Sequence, residues 1–312
     1  VSVAAAVTCQ RVGHSYGSRR ALDRVDFEVP PAQLFALLGP NGGGKSTLFR
    51  ILATLMTPSE GTARVMGHDV TAEPHRVRMA IGVAFQSPGL DGKLSVRENL
   101  THQGHLYGLR GTGLRARIDE LLELFRLGDR GGDRTETLSG GLARRVDLAK
   151  AFLHEPRVLL LDEPSTGLDP AARRDLMGTL ERLRAEEKTT VLLTTHLTEE
   201  ADACDRVAIL ERGRLVACGR PDELVREVGG DVVTLAAENA ERLATDVAGR
   251  FGGSVSWERG VVRLEHEGGA ELLPDVLRAF GDRVRSATVA RPTLEDVFFH
   301  RTGHAWSAEG TE

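Results

Sequence analysis

Apolar residues along this chain come in short runs bounded by turn residues, and their spacing changes twice. Val7 to Val12 and Val25 to Val29 predict β-strands on either side of the turn-rich stretch His14-Ser15-Tyr16-Gly17-Ser18, which would put Tyr16 on a loop end. Leu34-Phe35-Ala36-Leu37-Leu38 is an apolar run of strand length, and Leu48 to Leu55 has helix-forming composition. Gly61 to Met66 reads as a strand, His75 to Met79 as a short helix, and Ile81 to Phe85 as a strand ending at Gln86. Between Val96 and His154 the period becomes helical, with helices over Val96 to Tyr107, Gly113 to Leu127 and Ser139 to Leu153; in the last, Leu142, Val146, Ala149 and Leu153 share a face. Val158-Leu159-Leu160-Leu161 then has the length and composition of a buried parallel strand. A helix over Ala171 to Arg184 and a strand over Thr189 to Thr194 follow, the strand ending at Thr195-His196. Arg206 to Leu210 and Arg214 to Cys218 predict a hairpin turning at Arg212-Gly213.

From about Gly229 the pattern restarts. Val232 to Leu235, Glu238 to Phe251, Ser254 to Trp257, Val261 to Leu264, Ala270 to Phe280 and Val284 to Val289 read β-α-β-β-α-β, a ferredoxin-like α+β order, with the turn Glu258-Arg259-Gly260 inside it. Thr293 caps a last helix through Arg301. The expected organisation is an α/β domain over 1–228 with a helical subdomain at about 88–155, a small α+β domain over 229–302, and a polar tail over 303–312.

Chemistry concentrates in the first part. Gly39-Pro40-Asn41-Gly42-Gly43-Gly44-Lys45-Ser46-Thr47 has the spacing G-x-x-x-x-G-K-[ST] between a strand and a helix. Glycines let backbone N–H groups curl around an anion, and the helix N-terminus adds partial positive charge. Lys45 would reach the β and γ phosphates of a nucleotide, and the Ser46 hydroxyl would ligate Mg²⁺. Asp162-Glu163 ends the apolar strand, where ligands bind in open α/β sheets. Asp162 could hold Mg²⁺ through water, and Glu163 could orient or deprotonate an attacking water; the alternative is a solvated acidic turn. Ser139-Gly140-Gly141 leaves several N–H groups uncovered at a helix start, a second possible anion site or an ordinary cap. Tyr16 could stack on an adenine ring, and His196 would stand level with Asp162.

Composition narrows the class. At 312 residues with 41% hydrophobic and 27% charged residues, the chain has the make-up of a soluble globular protein, and its net charge of −5 argues against nucleic acid as the main partner. Cys9, Cys204 and Cys218 are too scattered for a disulfide framework or a zinc site, which fits a reducing cytosolic compartment. Nowhere do about 18 apolar residues run consecutively, so work on a membrane process would need a partner.

Gly39 to Thr47, Gln86, Leu138-Ser139-Gly140-Gly141, Leu161-Asp162-Glu163-Pro164, Gly167-Leu168-Asp169 and His196, standing in this order, resemble the ATP-binding subunit of an ABC transporter, with its Walker A, Q-loop, signature, Walker B, D-loop and H-loop. The resemblance covers about Val7 to Glu227 and implies the P-loop NTPase fold of an ABC ATPase. It implies that Tyr16 stacks on adenine, that Lys45, Ser46 and Thr47 bind phosphates and Mg²⁺, and that Gln86 senses Mg²⁺ and the attacking water. Glu163 would be the catalytic base and His196 would contact the γ-phosphate. Ser139, Gly140 and Gly141 would serve ATP held by a second ATP-binding subunit, most simply a second copy. Ser87-Pro88-Gly89-Leu90-Asp91 and Thr293-Leu294-Glu295-Asp296-Val297-Phe298 look like segments of the daunorubicin-resistance type of exporter. The implied function is ATP hydrolysis powering a separately encoded membrane permease that exports a drug, lipid or other small molecule, at the cytoplasmic face of the cell membrane. Leu90 or Leu94 would line the permease-facing groove. Two alternatives stay open: a soluble ABC ATPase acting on nucleic acid or ribosomes, and a weakly hydrolysing regulatory subunit. The sequence departs from the family at Leu142, where a glutamine or another polar residue is usual, and more mildly at Gly43, where alanine is common.

Overall fold

A computed structural model describes residues 4–258, 260–304 and 306, and the chain divides after Leu215 into two compact units. In the first unit the chain runs β1 (Val7–Tyr16), β2 (Arg19–Val29), β3 (Leu34–Leu38), α1 (Lys45–Leu52), β4 (Glu60–Val65), β5 (His68–Asp69), α2 (Pro74–Ala80) and β6 (Ile81–Ala84). It continues through α3 (Val96–Leu106), α4 (Gly111–Leu124), α5 (Gly140–Phe152), β7 (Val158–Asp162), α6 (Pro170–Glu186), β8 (Thr190–Thr195), α7 (Thr198–Asp202) and β9 (Arg206–Glu211). The division falls within β10 (Arg214–Gly219).

The central sheet has six strands in the order β10-β9-β3-β8-β7-β6. From β9 to β6 every pair is parallel. All five residues of β3 and all six of β8 are buried, as expected of strands covered on both faces. Register aligns Leu38 with Thr195 and Asp162 with Thr194, so the carboxyl ends of β3, β7 and β8 are level. A second sheet, in the order β2-β1-β4-β5, is antiparallel.

The first hairpin is longer than its apolar pattern predicts. Tyr16 pairs with Arg19 across a turn of Gly17 and Ser18, with Gly17 at φ 59°, so Tyr16 ends a strand instead of lying in a loop. The exposed Arg19 and Arg20 hid the start of β2, although Leu22 is fully buried. At the other hairpin, Arg212 and Gly213 both have positive φ, 46° and 78°, as a type I′ turn requires.

The helical segment contains α3, α4 and α5. Ser95 starts α3 with a reciprocal cap: its hydroxyl accepts from Glu98 N at 3.2 Å, and the Glu98 carboxylate accepts from Ser95 N at 2.8 Å. α5 packs closely on β6, because a Cβ added to Gly82 would stand 2.1 Å from the Ala151 carbonyl oxygen.

The second unit contains α8 (Pro221–Val228), β11 (Asp231–Ala237), α9 (Ala240–Phe251), β12 (Ser254–Glu258), β13 (Val261–His266), α10 (Gly269–Phe280), β14 (Val284–Ala290) and α11 (Leu294–Thr302). Its sheet runs β12-β13-β11-β14, antiparallel throughout. Leu243, Val247 and Val276 pack with Val233, Leu235, Val262 and Leu264 in one core. The division lies one helix before the boundary expected between 228 and 229. Leu224 and Val228 of α8 are buried and Glu227 pairs with Arg301 of α11, so this helix, which the sequence did not announce, goes with the C-terminal unit. Arg259 of the expected turn and most of the expected tail over 303–312 lie outside the described residues.

Gly82→Ala is expected to destabilise the protein by about 1–3 kcal/mol through overpacking of β6 against α5, measured by chemical denaturation.

Candidate active site

Four strand ends supply the site. After β3 the chain curls through Gly39–Gly44 into α1, and Gly44 at the helix start has φ 103°, a value that only glycine adopts without strain. The curl is held by Gly43 N donating to Pro40 O at 3.1 Å and by Gly213 N donating to Gly43 O at 3.0 Å. Lys45, 4% exposed, donates through Nζ to Gly39 O at 2.7 Å and Pro40 O at 3.1 Å. Burial pushes its pKa down, while Glu163 and Asp162 oppose that shift. Gly39 and Pro40 therefore lie beneath the loop as acceptors for the lysine.

Asn41 to Thr47, Tyr16 and Glu163 line an open cleft of about 520 Å³ together with Arg19, Arg20, Arg50 and Arg212; Arg20 is paired with Asp23 and Glu60, and the other three add positive charge. Tyr16 is half-exposed at the rim, its hydroxyl 3.4 Å from Met56 Sδ. Loop N–H groups, a buried ammonium and three guanidinium groups make the cleft a receptor for a polyphosphate.

The carboxylate of Glu163 is the hub of the cleft floor. It accepts from Gln86 Nε2 at 3.3 Å and Thr166 Oγ1 at 3.2 Å. Lys45 Nζ lies 3.9 Å from Oε1 and His196 Nδ1 lies 3.4 Å from Oε2, although this buried ring nitrogen is not aligned for a hydrogen bond. Glu163 has φ 45°, a left-handed conformation that is costly for a non-glycine residue. Thr194 holds it there: its hydroxyl accepts from Glu163 N at 2.9 Å and donates to Asp162 Oδ1 at 2.6 Å. Burial raises the Asp162 pKa, the bond from Thr194 lowers it, and neighbouring Glu163 raises it again.

Lys45, Gln86, Asp162, Glu163 and His196 thus converge. Ser139, Gly140 and Gly141 do not line the cleft. Ser139 caps α5, accepting from Leu142 N at 3.4 Å, and with Gly140 it is exposed. The Leu142 side chain is half-buried. Thr194 and Thr166 were missed in the sequence, as were the arginines at the cleft. For Thr194 a signal existed, since it is a hydroxyl residue inside the apolar run that ends at the cleft.

Among the described residues no group of three or more His, Cys, Asp or Glu is arranged to hold a metal by itself. Ser46 and Asp162 offer oxygen donors, and Mg²⁺ commonly uses one or two protein ligands together with substrate phosphates. The donor set fits that ion.

Residues 22–166 match the ABC transporter family. The chain is 41% identical to the daunorubicin resistance ATP-binding protein DrrA3 of Streptomyces coeruleorubidus, over 96% of each chain. It is 39% identical to the Nod factor export ATP-binding protein I of Sinorhizobium fredii, over 96% of this chain and 86% of that one. Among solved structures, an ATP-binding subunit of an ABC transporter superposes with TM-score 0.64 at 31% identity, covering 71% of this chain and 92% of that one. A dimeric bacterial ABC transporter cassette in a post-hydrolysis state bound to ADP and phosphate gives TM-score 0.62 at 27% identity, covering 69% and 98%.

Thr194→Val removes the bond that opposes the raised Asp162 pKa, so that pKa should rise further. The variant should lose about 1–3 kcal/mol of stability at pH 7. A raised carboxylate pKa means the native state binds more protons than the unfolded one, so the deficit should shrink as pH falls through the folded Asp162 value. Urea unfolding across that range checks both the size and the pH trend.

Proposed function

The chain belongs to the ATP-binding subunits of ABC transporters, and from that premise we propose that it powers a separately encoded membrane permease exporting a drug, lipid or other small molecule. It hydrolyses ATP as a transporter subunit. Export is favoured because its relatives are named for drug resistance and for Nod factor export. Among the described residues no helix is long and apolar enough to cross a membrane, and the proposed location is the cytoplasmic face of the cell membrane, on the permease.

The observation that carries the catalytic reading is the Glu163 carboxylate at the cleft floor, within reach of Lys45, Gln86 and His196. Glu163 takes the proton of the attacking water, which Gln86 helps to orient. Lys45 and the Gly39–Thr47 loop neutralise the phosphates, His196 contacts the γ-phosphate, and Tyr16 stacks on adenine. Mg²⁺, held by Ser46 and Asp162 with Gln86 nearby, would supply charge neutralisation on the phosphate oxygens.

Ser139, Gly140 and Gly141 do not line their own cleft, and Ser139 and Gly140 are exposed, which supports their use in trans on ATP bound by a second copy. The permease is proposed to dock in a groove of about 290 Å³ lined by Leu55, Phe85, Tyr107, Lys150 and His154. Leu90 and Leu94 are half-buried and are not among the lining residues of this groove, whereas Gly89 beside Leu90 is, and Phe85 and Leu55 supply exposed apolar surface.

Glu163→Gln should retain ATP binding and lower hydrolysis by roughly 10²–10⁴-fold; single-turnover rates equal to the parent would remove Glu163 from the role of base. Leu142→Gln should raise turnover of the assembled dimer several-fold with little change in monomer nucleotide affinity, since a hydrogen bond to a charged group is worth about 1.5–3 kcal/mol. Unchanged turnover with a reduced melting temperature would mean that Leu142 only packs.

A further inference from the structure

Behind the cleft floor lies a buried polar cluster that the mechanism above does not use. Glu200, in the first turn of α7, is only 2% exposed. Its carboxylate accepts a hydrogen bond from Ser165 Oγ through Oε1, and one from Thr195 Oγ1 at 2.7 Å through Oε2. Ser165 and Thr195 are themselves 3% and 2% exposed. One oxygen therefore holds the turn that follows Glu163, and the other holds the residue that precedes His196. Ser165 O also accepts from Leu168 N at 3.0 Å, and the adjoining Thr166 bonds to the Glu163 carboxylate. Thr195 O accepts from Gly39 N at 3.3 Å, at the start of the phosphate loop. Two segments of the cleft thus meet at one carboxylate, and the phosphate loop is bonded to one of them through the Thr195 backbone.

The nearest cation is Arg173 Nε, 3.6 Å from Oε1, buried and without a hydrogen-bond partner of its own. A carboxylate in this setting is costly to bury, and a neutral or apolar core would serve stability as well or better. What this side chain supplies is two separate acceptor oxygens on one rigid group, one for each hydroxyl.

We infer that Glu200 is a positioning residue for hydrolysis, setting the separation of Glu163 and His196 by tying the turn after one to the strand end before the other. The inference rests on the roles proposed for Glu163 and His196. Glu200 is buried and does not line the cleft, so its loss should act on the chemical step and leave ATP binding, which depends on the Gly39–Thr47 loop and Lys45, nearly unchanged.

The test uses the full chain. Glu200→Ala should lower kcat for ATP hydrolysis by roughly 10–100-fold, the scale expected when a reacting group is displaced slightly, with the Kd for ATP changed by less than about threefold. Glu200→Gln, which keeps one acceptor oxygen, should restore part of the lost kcat. In the Glu163→Gln background, Glu200→Ala should cost nothing further, because residues acting as a unit are not additive. A folded Glu200→Ala protein with parental kcat overturns the inference, as does a loss that multiplies with that of Glu163→Gln, or one shared equally between kcat and ATP affinity. If Glu200→Ala does not fold, Ser165→Ala and Thr195→Val each remove one arm and should lower kcat at unchanged ATP affinity; parental kcat in both overturns it equally. Full turnover by Glu163→Gln alone would instead sink the assignment of the base, and the kcat of Glu200→Ala would still report on positioning.

Discussion

A parallel sheet buried on both faces leaves its polar chemistry one place to go, the strand ends, and that constraint organises this site. The interiors of β3, β7 and β8 are almost wholly apolar, so nothing inside them can hold a charge. Register then does the positioning. Pairing Leu38 with Thr195 and Asp162 with Thr194 brings the phosphate loop, the Asp162-Glu163 pair and His196 to one level without any long connection having to find it. A slip of one residue between β7 and β8 would turn Thr194 from the site to the opposite face and release both Asp162 and Glu163.

Electrostatics at that level is balanced by competition. Lys45 and Asp162 are each pushed by burial toward their neutral forms; Glu163 and Asp162 draw Lys45 back, and the Thr194 bond, Arg50 and Lys45 draw Asp162 back. Lys45 also spends two donors on Gly39 and Pro40, which fixes its ammonium over the cleft before any phosphate arrives. Glu163 keeps an unfavourable backbone conformation because the Thr194 hydroxyl holds its amide. Such strain at a strand end is what a preorganised site is expected to carry.

How much of this was legible in the sequence depends on the kind of signal. The order of most elements, the glycine loop and the carboxylate pair follow from hydrophobic period and fixed spacing; β3 and β7 were visible as apolar runs, and β8 as a strand over Thr189 to Thr194. Strands in a sheet with one solvated face were harder: β2 begins at Arg19, where only Leu22 marks the buried side. α8 was missed because it is short, although Leu224 and Val228 have helical spacing and are buried. Contacts between distant residues left no local trace. Nothing near Glu200 announces that its carboxylate reaches Ser165, and nothing near Thr194 announces that it holds Asp162.

The helical segment poses the complementary question of how a site built on the sheet can be felt by helices that contribute little to it. α5 begins at Ser139 and presents Arg144, Asp147 and Lys150 at intervals of three residues, on one side of the helix. Arg144, 3% exposed, donates to the carbonyl oxygens of Phe85 and Gln86; Asp147 accepts from Gly89 N at 3.0 Å; Lys150 donates to Gly89 O. These bonds bracket the segment that leaves β6 and carries Gln86, whose amide reaches Glu163. Any shift of Gln86 relative to the carboxylate must therefore either move α5 or break charge-assisted bonds in a buried setting, the more expensive course. The backbone of the groove residue Phe85 and the cap at Ser139 belong to this same clamped body. A change at the cleft floor thus has a rigid route both to the groove and to the exposed start of α5, although neither lies in the cleft.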